Sequence, residues 1–123
     1  MQIGTANATL FLHTLFPDEW MSENTDFINE SFVFPRVSQE SLQKYIKAGG
    51  QWSGVCNSIS NIDKPVLVMT GAEDITSPPI NSLKIAEKIP GAWLIQIQGG
   101  GHGVMQQYPE AVYKIIETFL SIT

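Results

Sequence analysis

Ile62-Asp63-Lys64-Pro65-Val66-Leu67-Val68-Met69-Thr70-Gly71-Ala72-Glu73-Asp74 is the stretch that decides the fold. Polar residues lead into the apolar run Pro65–Thr70, and Gly71 ends it. A short continuous apolar run of this kind fits a strand buried on both faces, as in a parallel sheet. Ser77-Pro78-Pro79 then starts a helix, since proline in the first turn gives up an N–H that has no helical partner. The spacing predicts an inward face of Ile80, Leu83 and Ala86, and Pro90-Gly91 stops the helix. Ala92–Ile97 reads as a second buried strand and Gly99-Gly100-Gly101 breaks it. Pro109 opens a last helix, with Val112, Ile115, Ile116 and Phe119 at i, i+3, i+4 and i+7. The second half is therefore β-α-β-α, with parallel strands joined by a helical crossover. Two strands alone make a marginal sheet, so the sheet implied is larger than these residues supply.

Working back toward the N-terminus, the chain changes character near Ser60. Ser38 has the position of a helix N-cap, with Val37 and Leu42 at staple spacing. That helix is expected over Gln39–Ala48, stopping at Gly49-Gly50, where left-handed backbone is tolerated. Asn7 is placed to cap a short amphipathic helix reaching about Leu15, and Pro17 to end it and open a turn through Trp20. Between Ser22 and Pro35 no period is clear, although Phe27, Ile28, Phe32 and Phe34 call for burial. The expected organisation is a helical, cap-like region over 1–59 and a β-α-β-α region over 60–123.

Composition narrows the function classes. Of 123 residues, 43% are hydrophobic and 15% charged, which excludes a disordered chain. The ten glycines and seven prolines follow no fibrous period. Seven basic against 12 acidic residues give a net charge of −5 with no basic cluster, which argues against nucleic acid as a partner. Cys56, the single cysteine, forms no internal disulfide and offers no Cys-pair metal site. No apolar run approaches the roughly 20 residues of a membrane span, and Met1–Ala8 show no secretory pattern. The expectation is a cytoplasmic protein with no cofactor, no metal and no membrane partner.

Two polar residues stand at strand ends. Asp74 follows the first strand, and His102 follows the second within Gly99-Gly-Gly-His102-Gly103. Parallel strands put their C-terminal ends on one edge, where ligands and catalytic groups gather. A carboxylate beside an imidazole fixes the ring's tautomer and frees the other nitrogen as a general base. Taken singly, Asp74 reads first as an N-cap or turn residue and His102 as a hydrogen-bonded structural one. Their placement at consecutive strand ends carries the case. Glu73 competes with Asp74, but adjacent residues point to opposite sides, and Asp74 is preferred. The glycine loop is neither a dinucleotide fingerprint, because Val104 stands where glycine is needed, nor a P-loop. His13 lies on an apolar helix-like stretch with no second ligand at metal spacing. The aromatics Phe11, Phe16, Trp20, Phe27, Phe32 and Phe34 serve two readings equally, an apolar substrate pocket or burial of this region on the core.

The strand ending in Gly71-Ala-Glu-Asp74, Pro78-Pro79, and the Gly-His102 loop before a proline-started helix together resemble the C-terminal part of an α/β-hydrolase. The resemblance covers Ser38–Ile122 well and the preceding residues loosely. It implies an α/β fold in which Asp74 is the triad acid and His102 the triad histidine, in the family's order. It also makes the region around Ser38–Ala48 and Trp52 similar to the helical cap that many members insert before the acid strand. The nucleophile elbow G-x-S-x-G is not matched, because no serine has glycine at both −2 and +2. Gly54-Val-Cys56-Asn-Ser58 imitates an elbow, but a helix stop precedes it where a strand is required, and a partly buried loop thiol is expected instead. The chain thus resembles the second half of a hydrolase. The expected function is hydrolysis of a small apolar ester-type substrate, with the nucleophile coming from elsewhere and no triad catalysis by these residues alone. The alternatives are a non-catalytic remnant that self-associates as a homo-oligomer to complete its sheet, and a small α/β binding domain unrelated to hydrolysis.

Overall fold

Leu67–Gly71 (β1) and Trp93–Ile97 (β2) pair in parallel, with Leu67 opposite Trp93 and Gly71 opposite Ile97. This computed structural model describes residues 5–31 and 37–123. Phe32 and Phe34, expected to be buried, lie outside the described residues. The helices are Thr5–Leu15 (α1), Asp18–Glu23 (α2), Thr25–Ser31 (α3), Gln39–Gln51 (α4), Pro79–Lys88 (α5), Val104–Gln107 (α6) and Pro109–Ile122 (α7), with a 3-10 turn over Ile59–Asn61. The order from β1 onward is the expected β-α-β-α, with α6 added as one short turn ahead of Pro109.

The helix starts follow local chemistry. The Ser38 hydroxyl accepts from the Ser41 N–H at 3.1 Å, the reciprocal of an otherwise unpaired first-turn donor. Pro79 and Pro109 occupy first-turn positions of α5 and α7. Two expectations for the helical region need correction. Helix α1 already runs from Thr5, so Asn7 lies within it rather than capping it. Helix α4 passes through Gly49 and Gly50 to Gln51, and the first left-handed glycine after it is Gly54, at φ +80°. Glycine permits left-handed backbone without requiring it, and here the helical hydrogen bonds continue.

Burial also departs from expectation. On α5 the side chains of Ile80 and Leu83 are exposed, while Ile89, just past its end, is buried. The strands are not covered on both faces: Leu67, Val68 and Met69 are half-buried, and Leu94 and Gln96 of β2 are exposed. Trp93 meets Phe119 of α7 edge to face, with ring centroids 5.5 Å apart. The buried apolar side chains among the described residues are Phe16, Ile89, Val104, Val112 and Phe119. The physical reason is area. The chain exposes 9203 Å², where a compact monomer of 13.6 kDa exposes about 6,600 Å². A two-stranded sheet offers too little surface to cover the apolar residues that a larger sheet would bury.

Candidate active site

The end of β1 shapes the acid. Gly71 closes the strand, and the turn after it is held from below: the Ala72 N–H donates to Ile97 O at 2.9 Å and the Glu73 N–H to Gly100 O at 2.8 Å. Asp74 then turns inward and is 8% exposed, while Glu73 stays exposed. Asp74 Oδ1 accepts from the N–H groups of Thr76 (2.9 Å) and Ser77 (2.7 Å). Its other oxygen, Oδ2, lies 2.9 Å from Nδ1 of His102. An ionised carboxylate only accepts hydrogen bonds, so in this pairing Nδ1 carries the proton and the lone pair of Nε2 is left free. The His102 side chain keeps 41% of its surface open, against 8% for Asp74. Asp74 is thus the buried member of the pair, and His102 the one open to the cleft.

The glycine loop makes this contact possible. A Cβ on Gly71 would collide with the carbonyl of Gly100, so the two strand ends touch backbone to backbone. Gly99 takes left-handed backbone at φ +72°. Gln107, 8% exposed, accepts from the Gly101 N–H through Oε1 at 2.7 Å and donates from Nε2 to Gly99 O at 3.2 Å.

The end of α1 completes the site from the other side. Leu15 O accepts from the Gly103 N–H at 2.7 Å, and Thr14 O accepts from the Thr76 hydroxyl at 2.6 Å. One helix terminus therefore holds both the acid loop and the histidine loop. Phe16, 2% exposed, packs against Gly103, where a Cβ would strike its ring. It also stacks on Trp20, with centroids 4.9 Å apart, and Trp20 meets Phe27 edge to face at 5.5 Å. An open cleft of about 290 Å³ lies between the two sides, lined among others by His13, Phe16, Glu73, Ile75 and His102. Phe16 thus serves both readings given to the aromatics, lining the cleft and burying the helical region on the core.

Other sequence candidates fall elsewhere. His13 has a carboxylate partner after all: its Nδ1 lies 2.6 Å from Asp18 Oδ1, a pair joined because Pro17 turns the chain back on α1. Among the described residues no group of three or more His, Cys, Asp or Glu side chains gathers as a metal site. Cys56 is exposed rather than partly buried. Its carbonyl accepts from Lys88 Nζ at the far end of α5. That end faces the opposite sheet edge from Asp74 and His102, some 15 Å away along a ten-residue helix, so the Cys56 thiol is not brought to His102. The sequence reading missed Gln107, Thr76, Ser77 and the carbonyls of Thr14 and Leu15. Thr76 and Ser77 carry a readable signal, since Asp followed two and three residues on by N–H donors is an Asx-type turn. Gln107 carries none, because its partners are backbone atoms fixed by the loop.

Comparison with known proteins agrees with this architecture. Residues 38–122 match the α/β-hydrolase family described as TAP-like protein. A candidate carbamate hydrolase, RutD of Caulobacter sp. (strain K31), is 29% identical over 114 residues, which are 87% of this chain and 41% of that protein. The crystal structure of BpoC of Mycobacterium tuberculosis H37Rv, a candidate non-heme bromoperoxidase, superposes with a TM-score of 0.80 at 26% identity, over 95% of this chain and 44% of that one. The enol-lactonase of Burkholderia xenovorans LB400 shares the fold, with a TM-score of 0.77 at 22% identity over 94% of this chain and 44% of its own. The chain spans less than half the length of these relatives. With a family match across more than half of its residues and the strand-end architecture in place, this chain belongs to the α/β-hydrolase family.

Proposed function

We propose that this chain supplies the acid and the histidine of a nucleophile-His-Asp triad, and that the complete enzyme hydrolyses an ester-type acyl bond. The observation that carries the reading is the 2.9 Å contact of Asp74 Oδ2 with His102 Nδ1 at the rim of an open cleft. Asp74 holds the ring in the Nδ1–H tautomer and stabilises the imidazolium that forms. His102 Nε2 takes the proton of a nucleophile, returns it to the leaving group, and then activates a water in the same way. Phe16 and Ile75 offer the apolar side of the cleft to an acyl or alkyl group. The names of the relatives, a carbamate hydrolase and an enol-lactonase, are in keeping with acyl chemistry. The nucleophile and the oxyanion donors come from outside these residues, where the family's G-x-S-x-G elbow stands. Residues 1–59 act as the cap and 60–123 as the C-terminal part of the core.

The test has two arms. The 123-residue chain is assayed with a panel of activated esters, and turnover indistinguishable from buffer is expected. The chain joined to an elbow-bearing N-terminal portion is then assayed, and turnover that disappears in His102→Ala is expected. Turnover of the chain alone that depends on His102, or a joined protein indifferent to His102→Ala, refutes the reading.

A second reading is favoured by one observation, the large exposed apolar surface. Leu42, Tyr45 and Ile46 of α4 and Ile80 and Leu83 of α5 all face solvent. In this reading the chain is a non-catalytic form that completes its sheet with a second copy. Sedimentation at micromolar concentration decides: a stable monomer rules it out.

A further inference from the structure

Gln107 is buried one turn after His102, spends both the oxygen and the nitrogen of its amide on one loop, and has no part in the chemistry proposed above. Its Oε1 accepts from Gly101 N–H and its Nε2–H donates to Gly99 O. It therefore braces the two peptides on either side of Gly100, immediately before His102. From the other side the loop is confined by backbone and ring contacts. Gly100 lies against Gly71, Gly101 against Leu15 O and Pro17, and Gly103 against Phe16. A glycine run has little conformational preference of its own, so an internal brace is what gives this one a single path. The Cα–Cβ direction of His102 follows from the peptide plane that Gly101 sets.

We propose that Gln107 is a positioning residue that keeps the His102 imidazole within hydrogen-bonding reach of Asp74. The proposal deepens the triad reading and rests on it for its consequence in catalysis, but the positioning itself is observable without turnover. An amide is suited to the task because it carries a donor and an acceptor side by side. A carboxylate has only acceptors, and an alkyl chain leaves Gly101 N–H buried and unpaired.

The test reads the imidazole Nδ1–H resonance of His102 in the full chain by proton and nitrogen NMR. Asp74→Asn serves as the reference for a broken pair, and thermal unfolding reports stability separately. The expected result is a downfield Nδ1–H signal in wild type, its loss in Gln107→Leu, and sheet amide shifts that stay in place. Should the leucine variant not fold, Gln107→Glu carries the test. Its protonated carboxyl reproduces the donor and the acceptor, so the signal is expected at acid pH and lost as that carboxyl ionises. The titratable groups on the elements packed around the loop are Asp74 and Glu73 after β1, His102 itself, Tyr108 beside Gly99, and His13 and Asp18 at the end of α1. Spectra of wild type at each pH account for their effects. A folded Gln107→Leu with the wild-type signal, or a Gln107→Glu that follows wild type at every pH, overturns the proposal. Absence of the signal from wild type overturns the pairing and the proposal together. A normal signal in an enzyme that proves not to use His102 overturns only the triad reading.

Discussion

Gly71 and Gly100 meet where the two strands end, and the contact is between main chains. A methyl group on Gly71 has nowhere to go, since its neighbour is the Gly100 carbonyl, a main-chain group that accepts from the Glu73 N–H, and not the end of a flexible side chain. Gly71→Ala is therefore expected to destabilise the fold by about 3 kcal/mol and to part Asp74 from His102. Urea unfolding checks the first effect and the Nδ1–H signal the second. Asp74 shows the complementary case, a residue whose role depends on both oxygens. In Asp74→Asn the Oδ1 contacts to Thr76 and Ser77 can persist, but the amide group no longer selects the Nδ1–H tautomer. In the assembled enzyme this is expected to lower kcat by about 10³–10⁴ with little change in KM, measured by steady-state ester hydrolysis. Asp74 and His102 were legible at this scale because each lies in the loop that directly follows a strand. Gln107 was not, because nothing in a Met-Gln-Gln-Tyr segment announces that a loop eight residues upstream will curl back onto it.

Helix α4 illustrates how far an element can be specified by its own sequence. Its cap, Ser38, works as expected, yet none of its side chains is buried. Its stability thus depends on local terms. Ser38→Ala is expected to cost about 1 kcal/mol, seen as a loss of helical circular dichroism with the β1 and β2 amides unaffected. Gly50 lies inside the helix, lacks left-handed backbone, and has open space where a Cβ would stand. Gly50→Ala is accordingly expected to raise helix stability by about 0.5–1 kcal/mol, read as higher helicity. The glycine pair misled the sequence reading because a permissive residue marks where a helix is able to stop. Whether it does stop depends on what the next residues gain by leaving it. The end of α1 gives the opposite lesson. Its last carbonyls are spent on the acid loop and the histidine loop, an arrangement spanning 62 residues between Thr14 and Thr76. Thr76→Val removes that one bond while sparing the N–H that serves Asp74.

At the scale of the whole molecule, surface is the controlling quantity. The exposed area is about 40% above that of a compact monomer of this mass, and the exposed side chains include large apolar ones on α4 and α5. Net charge of −5 opposes non-specific association, but it does not replace missing apolar contacts. The chain by itself is expected to unfold at low urea with a shallow transition. Adding an elbow-bearing portion that covers this surface is expected to raise the midpoint and steepen the slope, because the slope follows the area exposed on unfolding. An unchanged midpoint on joining the two would show that the exposed faces are not where the rest of the core binds. No described helix is long and apolar enough to cross a membrane.

By itself the sequence determined the β-α-β-α order from β1 onward, the N-cap at Ser38, the proline helix starts at Pro79 and Pro109, and the strand-end positions of Asp74 and His102. These are local properties, set by periodicity and by the backbone preferences of proline, serine and glycine within a few residues. Only the tertiary structure decided that α1 ends against both loops, that Gln107 braces the glycines, that Cys56 lies at the opposite sheet edge, and that Ile80 and Leu83 remain uncovered. Those outcomes depend on which distant surfaces meet, and a residue's burial is fixed by its neighbours in space as much as by its own side chain.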